Sequence, residues 1–366
     1  MNEINQNMRY KSLDIFRGFT ILWMIIVNNQ GDWHHVYSIL KHASWNGIRP
    51  TDFIFPFFLF IVGASISVSS YDNNKINQST KTIVMKILRR SFLLIIIGII
   101  LNGIPFFNLT TIRIPGVLQR IGICYLFGSL FFLFFKNKIH IIFIIVSLLS
   151  FYWFIMTTII PPGQRAILLD KTGNAAWYLD SIIFKGHTYS KSGFDPEGLL
   201  STIPAIATTL MGILGGSFIL KEKPSYRVGA IFSILIILAG FLLSYMITIN
   251  KQLWTPSYVF ITGGAAFTVL LVLQKLCSRY NNYSPKIFIS FGKNTFLAYI
   301  LSSSLGRFLA LYPLYEKAPI KNFIYIKYVY ISTMPYFSSL LYSLLLTALI
   351  ALILFFLNRK QLYLKL

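Results

Sequence analysis

The sequence predicts an all-α bundle of about ten transmembrane helices. Three observations lead to this fold class. Only 12% of the 366 residues are charged, whereas soluble domains carry about 25%. The mean hydropathy is +0.65. Apolar runs of about 20 residues, the length that crosses a bilayer, recur along the chain without a long polar stretch between them. We therefore treat residues 1–366 as one domain embedded in a lipid bilayer.

Ten segments fit a membrane span by length and composition. They are 14–29, 52–70, 86–104, 115–135, 139–160, 199–220, 227–249, 255–276, 286–305 and 337–357. The first is interpreted as a span and not as a cleaved signal peptide, because no small-residue cleavage site follows it. Lys327 interrupts the apolar segment 322–334, which we expect to be interfacial or re-entrant. The longest loop, 161–198, has the length at which loops often carry function.

Basic residues predict the orientation. The formal net charge is +22. If both termini are cytoplasmic, eighteen Lys and Arg fall in inner loops, twelve in outer loops and three within or beside spans. Cytoplasmic loops are enriched in these residues, so the distribution favours cytoplasmic termini and an extracytoplasmic loop at 161–198. Because the charges are dispersed among loops, they do not indicate a nucleic-acid partner.

The two cysteines predict neither a disulfide framework nor a metal site. Cys124 and Cys277 lie far apart in sequence, in or at the end of apolar segments. Two thiols so placed do not have the spacing of zinc ligands, and burial is the simpler interpretation.

A polar cluster stands at the predicted outer mouth of the bundle. His42 is followed by Trp45, Asn46 and Asp52, and the chain then enters an apolar span. Histidine exchanges protons near neutral pH, although a loop histidine can also be merely solvated. Asn28 closes the first span on the same side, either as a helix cap or as an amide donor to an oxyanion formed in acyl transfer.

Two further residues lie within the fourth span. Gln119 and Arg120 are placed where polar groups are costly. A buried arginine requires an anionic partner, a carbonyl-lined cavity or water, so Arg120 is a candidate for a functional site.

Basic residues also gather at the predicted inner side. Arg17 follows Asp14 by three residues and can form an ion pair with it on one helix face. Lys293, beside Asn294, can extend its amine to the membrane surface. Together with Arg90 it could also bind phosphates, although the usual excess of cytoplasmic Lys and Arg explains these residues equally well.

These clusters, in this order, resemble the heparan-alpha-glucosaminide N-acetyltransferase family of polytopic membrane acyltransferases. The matching strings lie between residues 12 and 299: "SLDIFRG", "VNN", "KHASWNG", "TDFIFPFFLFIVG", "RIPGVLQRIG", "FDPEGLLSTIPA", "LWTPSYV" and "GKNTFLAY". The pair "KHASWNG" and "DFIFPFFLFIVG" is highly specific.

The resemblance implies an enzyme that takes acetyl from cytoplasmic acetyl-CoA and places it on the amine of an amino sugar at the extracytoplasmic face. The family's active histidine matches His42, and its supporting asparagine matches Asn28. His42 acts either as a general base or as an acetyl relay. The animal members carry an extra N-terminal lumenal domain, so we expect here a bacterial inner-membrane homologue that acts on another amino sugar or envelope glycan.

The remaining candidate residues take roles from this scheme. Donor binding is expected of Arg17, Arg90, Gln119, Arg120, Lys293 and Asn294. Acceptor binding is expected of Trp45, Asn46 and Asp52.

Two other functions stay open. A transporter of an amino sugar or peptide suits ten helices and Arg120, but the sequence has no inverted repeat and no paired broken helices. A polysaccharide O-acetyltransferase would use a hydroxyl acceptor. A homodimer is permitted by the glycine pair Gly212 and Gly216 and by the phenylalanine-rich spans.

Overall fold

The computed structural model describes residues 3–70, 79–163, 170–220, 224–280, 285–315 and 318–364. Within these ranges the chain forms thirteen α-helices: α1 (Glu3–Asn28), α2 (Ile54–Ser70), α3 (Thr80–Gly103), α4 (Val117–Phe134), α5 (Lys138–Thr158), α6 (Ala175–Phe184), α7 (Leu199–Ile219), α8 (Tyr226–Ser244), α9 (Pro256–Arg279), α10 (Lys286–Lys293), α11 (Thr295–Leu311), α12 (Ile320–Ile324) and α13 (Pro335–Arg359). Two short antiparallel strands, β1 (Pro313–Tyr315) and β2 (Ala318–Pro319), join α11 to α12.

The predicted helical membrane bundle is confirmed. Each of the ten predicted spans coincides with helical structure. Seven helices within the described ranges are long and apolar enough to cross a membrane, counting α2 together with the 3₁₀ turn Pro50–Phe53 before it. Charged residues interrupt α1 and α3, and the ninth predicted span is divided at Asn294 into α10 and α11. The protein is therefore an integral membrane protein with at least seven membrane-compatible helices.

The segment 322–334 forms no long helix. It contains the end of α12 and a π-helical turn, Tyr325–Val329, before the chain enters α13. Tyr325 and Val329 are buried against Tyr342 of α13. The segment is too short to span a bilayer as a helix, and its interfacial position stays a prediction.

The helices α2 and α7 form the centre of the bundle because glycines let their backbones approach closely. A Cβ atom on Gly63 would lie 1.8 Å from the carbonyl oxygen of Thr209, and one on Gly212 would lie 2.0 Å from that of Phe60. Small residues at such crossings are the usual device for packing helices in lipid.

The glycine pair serves this internal contact. Gly212 and Gly216 both face α2 of the same chain, and a Cβ on Gly216 would lie 2.1 Å from the hydroxyl of Ser67. The pair therefore provides no surface for a second copy. A homodimer stays a prediction, and the glycine pair no longer supports it.

The two ends of the bundle are defined by α1. Its last residue, Asn28, lies at the end that also carries His42, here called the His42 end. Towards the opposite end, α10 packs closely on α1, since a Cβ on Gly292 would lie 1.9 Å from the carbonyl oxygen of Asp14. Between the two ends lies a buried apolar layer. Its fully buried members are Ile21, Ile25, Ala298, Ile350 and Leu354.

We expect Gly212→Val to destabilise the protein by roughly 1–3 kcal/mol, because the new side chain must displace the backbone of α2. Thermal unfolding of the purified protein in detergent measures the effect. Ala230→Val, on an exposed face of α8, is the matched control and should leave the unfolding temperature nearly unchanged. Equal unfolding temperatures for the two variants would contradict the close α2–α7 contact.

Candidate active site

A cavity of about 500 Å³ opens at the His42 end. Its wall is formed by the end of α1, the start of α2, much of α11, single residues of α4, α12 and α13, and loops. The lining includes His42, Asn28, Lys251, Glu197 and Arg307. The deepest lining residue of α1 is Met24, which adjoins the buried apolar layer. The described lining contains none of the basic residues predicted to bind the donor at the opposite end.

His42 is held by the buried carboxylate of Asp52. The Nδ1 atom of His42 lies 2.7 Å from Oδ1 of Asp52, and 43% of the histidine side chain is exposed. Asp52 itself is fully buried in the 3₁₀ turn before α2. Its other oxygen, Oδ2, accepts the backbone N–H groups of Ala43 at 3.1 Å and Arg49 at 2.9 Å. Asp52 therefore shapes the loop that carries His42 and also orients the imidazole ring.

Lys251, from the loop between α8 and α9, completes this cluster. Its Nζ atom lies 2.9 Å from Nδ1 of His42 and 3.4 Å from Oδ1 of Asp52. Nδ1 donates to Asp52 when it carries the proton and accepts from the ammonium of Lys251 when it does not. Burial lowers the pKa of Lys251, and the attraction of Asp52 partly offsets that effect.

The loop of His42 is tied to the loop of Lys251 by backbone and amide contacts. Asn46 and Asn250 form an isolated β-bridge, and the Asn250 side chain donates to Oδ1 of Asn46 at 3.0 Å. Gly47 donates its N–H to Ile249 at 2.8 Å. Asn46, which was predicted to bind the acceptor, therefore has a structural partner in Asn250. Asp52, predicted for the same role, contacts the ring of His42 directly.

Trp45 points toward the long loop and not into the cavity lining. Its ring meets Phe194 edge to face, with centroids 5.4 Å apart, and Nζ of Lys171 lies 5.6 Å from its centroid. An acceptor-binding role for Trp45 stays a prediction. The observed contacts fasten Lys171 and Phe194 of the long loop to the residue three positions after His42.

An ion cluster fixes the end of the long loop. Arg113 donates through Nε to Asp195 at 2.9 Å and also pairs with Glu197. Burial alone would lower the pKa of Arg113, but the carboxylates of Glu197 and Asp195 raise it overall. Glu197 thereby reaches the cavity lining with its charge already paired.

The two asparagines at the end of α1 differ in exposure. Asn28 is exposed and lines the cavity. Asn29 is buried, and its side-chain N–H donates to Ile25 at 2.8 Å and to Ser302 at 3.0 Å. The side-chain amide of Asn28 makes no hydrogen bond with the described residues. Asn28 is therefore the asparagine available to a ligand.

Gln119 and Arg120 lie at the His42 end, in the first turn of α4, but outside the cavity lining. Gln119 donates to the carbonyl of Ile114 at 2.9 Å. Arg120 is buried, donates through one terminal nitrogen to Gly198 and Ser201, and lies 5.2 Å from the ring of Trp254. These contacts hold the start of α7, and donor binding by the pair stays a prediction.

The other predicted donor residues lie away from the cavity. Arg17 pairs with Asp14 at 2.8 Å and donates to Ser65 at 2.5 Å. It lies about 16 Å along α1 from Asn28, at 1.5 Å per residue. Arg90 stacks on Tyr125 at 4.7 Å.

Lys293 and Asn294 stand at the break between α10 and α11. The amine of Lys293 lies 5.9 Å from the ring of Tyr363, and Asn294 donates to Oδ1 of Asn358 at 2.7 Å. Asn294 is buried and holds the C-terminal segment, whereas Lys293 is exposed. The predicted donor residues thus fall into two groups at different depths of the bundle.

Three basic cavity residues were missed from the sequence: Lys251, Arg307 and Lys321. Lys251 is separated from His42 by 209 residues, so no local pattern joins them. Lys251 stands two residues before the family string "LWTPSYV", and this proximity gave no chemical signal by itself.

A second buried carboxylate caps α7 behind the site. Asp180, from the ten-residue helix α6, accepts the N–H of Leu199 at 2.9 Å and is 1% exposed. Burial raises the pKa of Asp180 to about 7, and the nearby charge of Asp195 adds to the effect, while the N–H of Leu199 opposes it. The folded state therefore binds a proton here more tightly than the unfolded chain does.

Comparisons with known proteins identify sequence relatives of this chain. A family profile described as "Heparan-alpha-glucosaminide N-acetyltransferase, catalytic" matches residues 9–247. The protein named heparan-alpha-glucosaminide N-acetyltransferase from Homo sapiens is 30% identical over 350 residues, which cover 80% of this chain and 52% of the relative. The protein of the same name from Mus musculus is 28% identical, with 80% and 53% covered. The chain spans about half the length of both relatives.

We expect Asp180 to make the protein less stable as the pH rises. Its folded pKa is raised, so its stabilisation is complete below about pH 4 and is lost as the pH rises through about 7. The loss should be on the order of 2–4 kcal/mol. Asp180→Asn should flatten the dependence of the unfolding temperature between pH 5 and pH 8, whereas Asp170→Asn, at an exposed position, should not. An unchanged pH dependence in Asp180→Asn would contradict the assignment.

Proposed function

Because the chain belongs to the heparan-alpha-glucosaminide N-acetyltransferase family, we propose that it transfers acetyl from acetyl-CoA to the amine of an amino sugar. The family membership agrees with the motifs of the sequence. The observation that carries the proposed chemistry is the His42–Asp52 pair in the wall of a cavity that also exposes Asn28.

His42 acts as the base in this proposal. When its Nδ1–H donates to Asp52, Nε2 carries the lone pair that accepts a proton, and Nζ of Lys251 lies 3.5 Å from this atom. A carboxylate in this position fixes the tautomer and stabilises the imidazolium that forms, as in catalytic triads. Asp52 is a positioning residue, since its own oxygens are engaged by His42, Lys251 and two backbone N–H groups.

Asn28 supplies the second requirement of acyl transfer. Attack on the thioester carbonyl moves negative charge to its oxygen, and a positioned N–H donor stabilises that charge. The exposed amide of Asn28 at the end of α1 is such a donor. Its place on a long helix gives it a fixed position at the edge of the cavity.

The proton balance of direct transfer is simple. The amine nitrogen forms a bond to the acetyl carbon, and Nε2 of His42 takes the amine proton. The carbon–sulfur bond then breaks, and the imidazolium returns the proton to the departing thiolate. In the relay alternative Nε2 itself attacks the carbonyl, the carbon–sulfur bond breaks, and the thiolate leaves as the thiol with the proton that the imidazole gives up, which leaves an acetyl-histidine. The amine then attacks the acetyl carbon, the bond from that carbon to Nε2 breaks, and the imidazole takes the amine proton. Isolation of acetylated protein after reaction with the donor alone distinguishes the relay from direct transfer.

Donor binding is proposed for the basic residues away from the cavity. Arg17, Arg90 and Lys293 would receive the phosphates of acetyl-CoA from the cytoplasm, with both chain termini on that side. Their basic character and the charge distribution of the loops support this orientation. The acceptor would then enter at the His42 end, on the extracytoplasmic face. The membrane we propose is the inner membrane of a bacterium.

We expect His42→Ala to lower acetyl transfer at least about 100-fold, the usual size of general base catalysis. The assay follows labelled acetyl from acetyl-CoA to glucosamine with purified protein in detergent. His34→Ala, at an exposed position of the same loop, is the matched control. If the folded His42→Ala protein keeps its full turnover, His42 is neither the general base nor the acetyl relay. Sugar uptake into liposomes without acetyl transfer would favour a transporter, and transfer to hydroxyls alone would favour an O-acetyltransferase.

We expect Arg90→Gln to raise the KM for acetyl-CoA about tenfold, since one charge-assisted contact to phosphate is lost. The turnover number and the KM for the acceptor should change little. Arg227→Gln, at an exposed position at the start of α8, controls for general loss of positive charge. If the donor KM is the same in both variants, the phosphates are held elsewhere.

A further inference from the structure

The cavity carries two positive charges that its own acids do not neutralise. Four Lys, Arg or Glu side chains line it within the described ranges: Glu197, Lys251, Arg307 and Lys321. Glu197 is paired with Arg113, and Lys251 lies 3.4 Å from Asp52. Arg307 and Lys321 have no carboxylate within 4 Å among the described residues.

Arg307 is held rigidly by neutral acceptors. Its two terminal nitrogens donate to the carbonyl of Leu101 and to Oδ1 of Asn102, both at 3.0 Å. These contacts fix the plane of the guanidinium on α11 without cancelling its charge. A half-buried charge without a counter-ion is costly, and a bound anion would offset that cost.

Lys321 brings the second charge from the neighbouring helix α12. It is half-buried, and its amine lies 5.7 Å from the ring of Trp33, which is exposed and also lines the cavity. Burial lowers the pKa of Lys321, and the attraction of Asp32 opposes this effect only in part. An anion beside the amine would raise the pKa of Lys321.

We propose that Arg307 and Lys321 form a subsite for an anionic group of the acceptor: a carboxylate, a sulfate or a phosphate. The inference rests on the proposed function, including entry of the acceptor at the His42 end. Arginine forks and lysine ammonium groups are the side chains that bind such oxyanions. The amine that receives the acetyl group is neutral or cationic, so the anion belongs to another part of the acceptor.

The test compares glucosamine with glucosamine 6-sulfate and glucosamine 6-phosphate as acceptors for the purified full chain. The unaltered protein should favour an anionic acceptor about tenfold in kcat/KM, the value of one charge-assisted contact. Lys321→Gln should remove most of that preference through KM, whereas Lys321→Arg should keep it. Arg307→Gln should act in the same direction. Lys327→Gln, on the next turn and outside the cavity lining, is the matched control.

Two results would overturn the subsite. One is an unaltered protein with no preference for any anionic acceptor. The other is a Lys321→Gln protein in which only the KM for acetyl-CoA rises, which would assign the charges to the phosphates of the donor. Binding of the same sugars without acetyl-CoA, measured by calorimetry, separates the two proposals. Selective binding of the anionic sugars that Lys321→Gln abolishes would support the subsite even if no acetyl transfer occurred.

Discussion

The arrangement of the site depends on one buried carboxylate. Asp52 has no access to solvent, yet its oxygens face the imidazole of His42, the amine of Lys251 and the N–H groups of Ala43 and Arg49. Its backbone carbonyl accepts the hydroxyl of Tyr258 at 2.6 Å, which anchors the turn to α9. A buried charge is tolerated when it is paired and hydrogen-bonded, as it is here. The loop of His42, its imidazole ring and the start of α2 are therefore held together as one structural unit.

Sequence reasoning predicted the parts of this protein that local patterns encode. Hydropathy located the spans, since a helix in lipid must be apolar for about 20 residues. The stretch from His42 to Asp52 was recognised because its polar residues stand close together before an apolar run. Contacts between distant segments could not be read in this way. The pairing of Glu197 with Arg113 joins residues 84 apart, and Lys251 reaches His42 across 209.

Two patterns had more than one structural meaning. The glycine pair of α7 fits either a second chain or a neighbouring helix, and the structure shows the neighbour, α2. Arg120 fitted a ligand tunnel as well as a structural role. Its contact with Trp254 and its donated bonds to Gly198 and Ser201 support the start of α7, and donor binding by Arg120 stays a prediction. The predicted burial of the Arg120 charge therefore identified an important position, but it did not reveal the function of that charge.

The packed apolar layer next to Met24 has an electrical consequence. The cavity opens at the His42 end, and the buried side chains of this layer pack beside the deepest cavity residue of α1. In an energised membrane, the potential difference falls mainly across the low-dielectric layer, where each elementary charge moved costs about 2.3 kcal/mol per 100 mV. His42 and the residues around the cavity then stay close to the potential and the proton activity of the compartment they open to. The membrane voltage therefore does little work on charged groups that enter or leave the cavity from its open side.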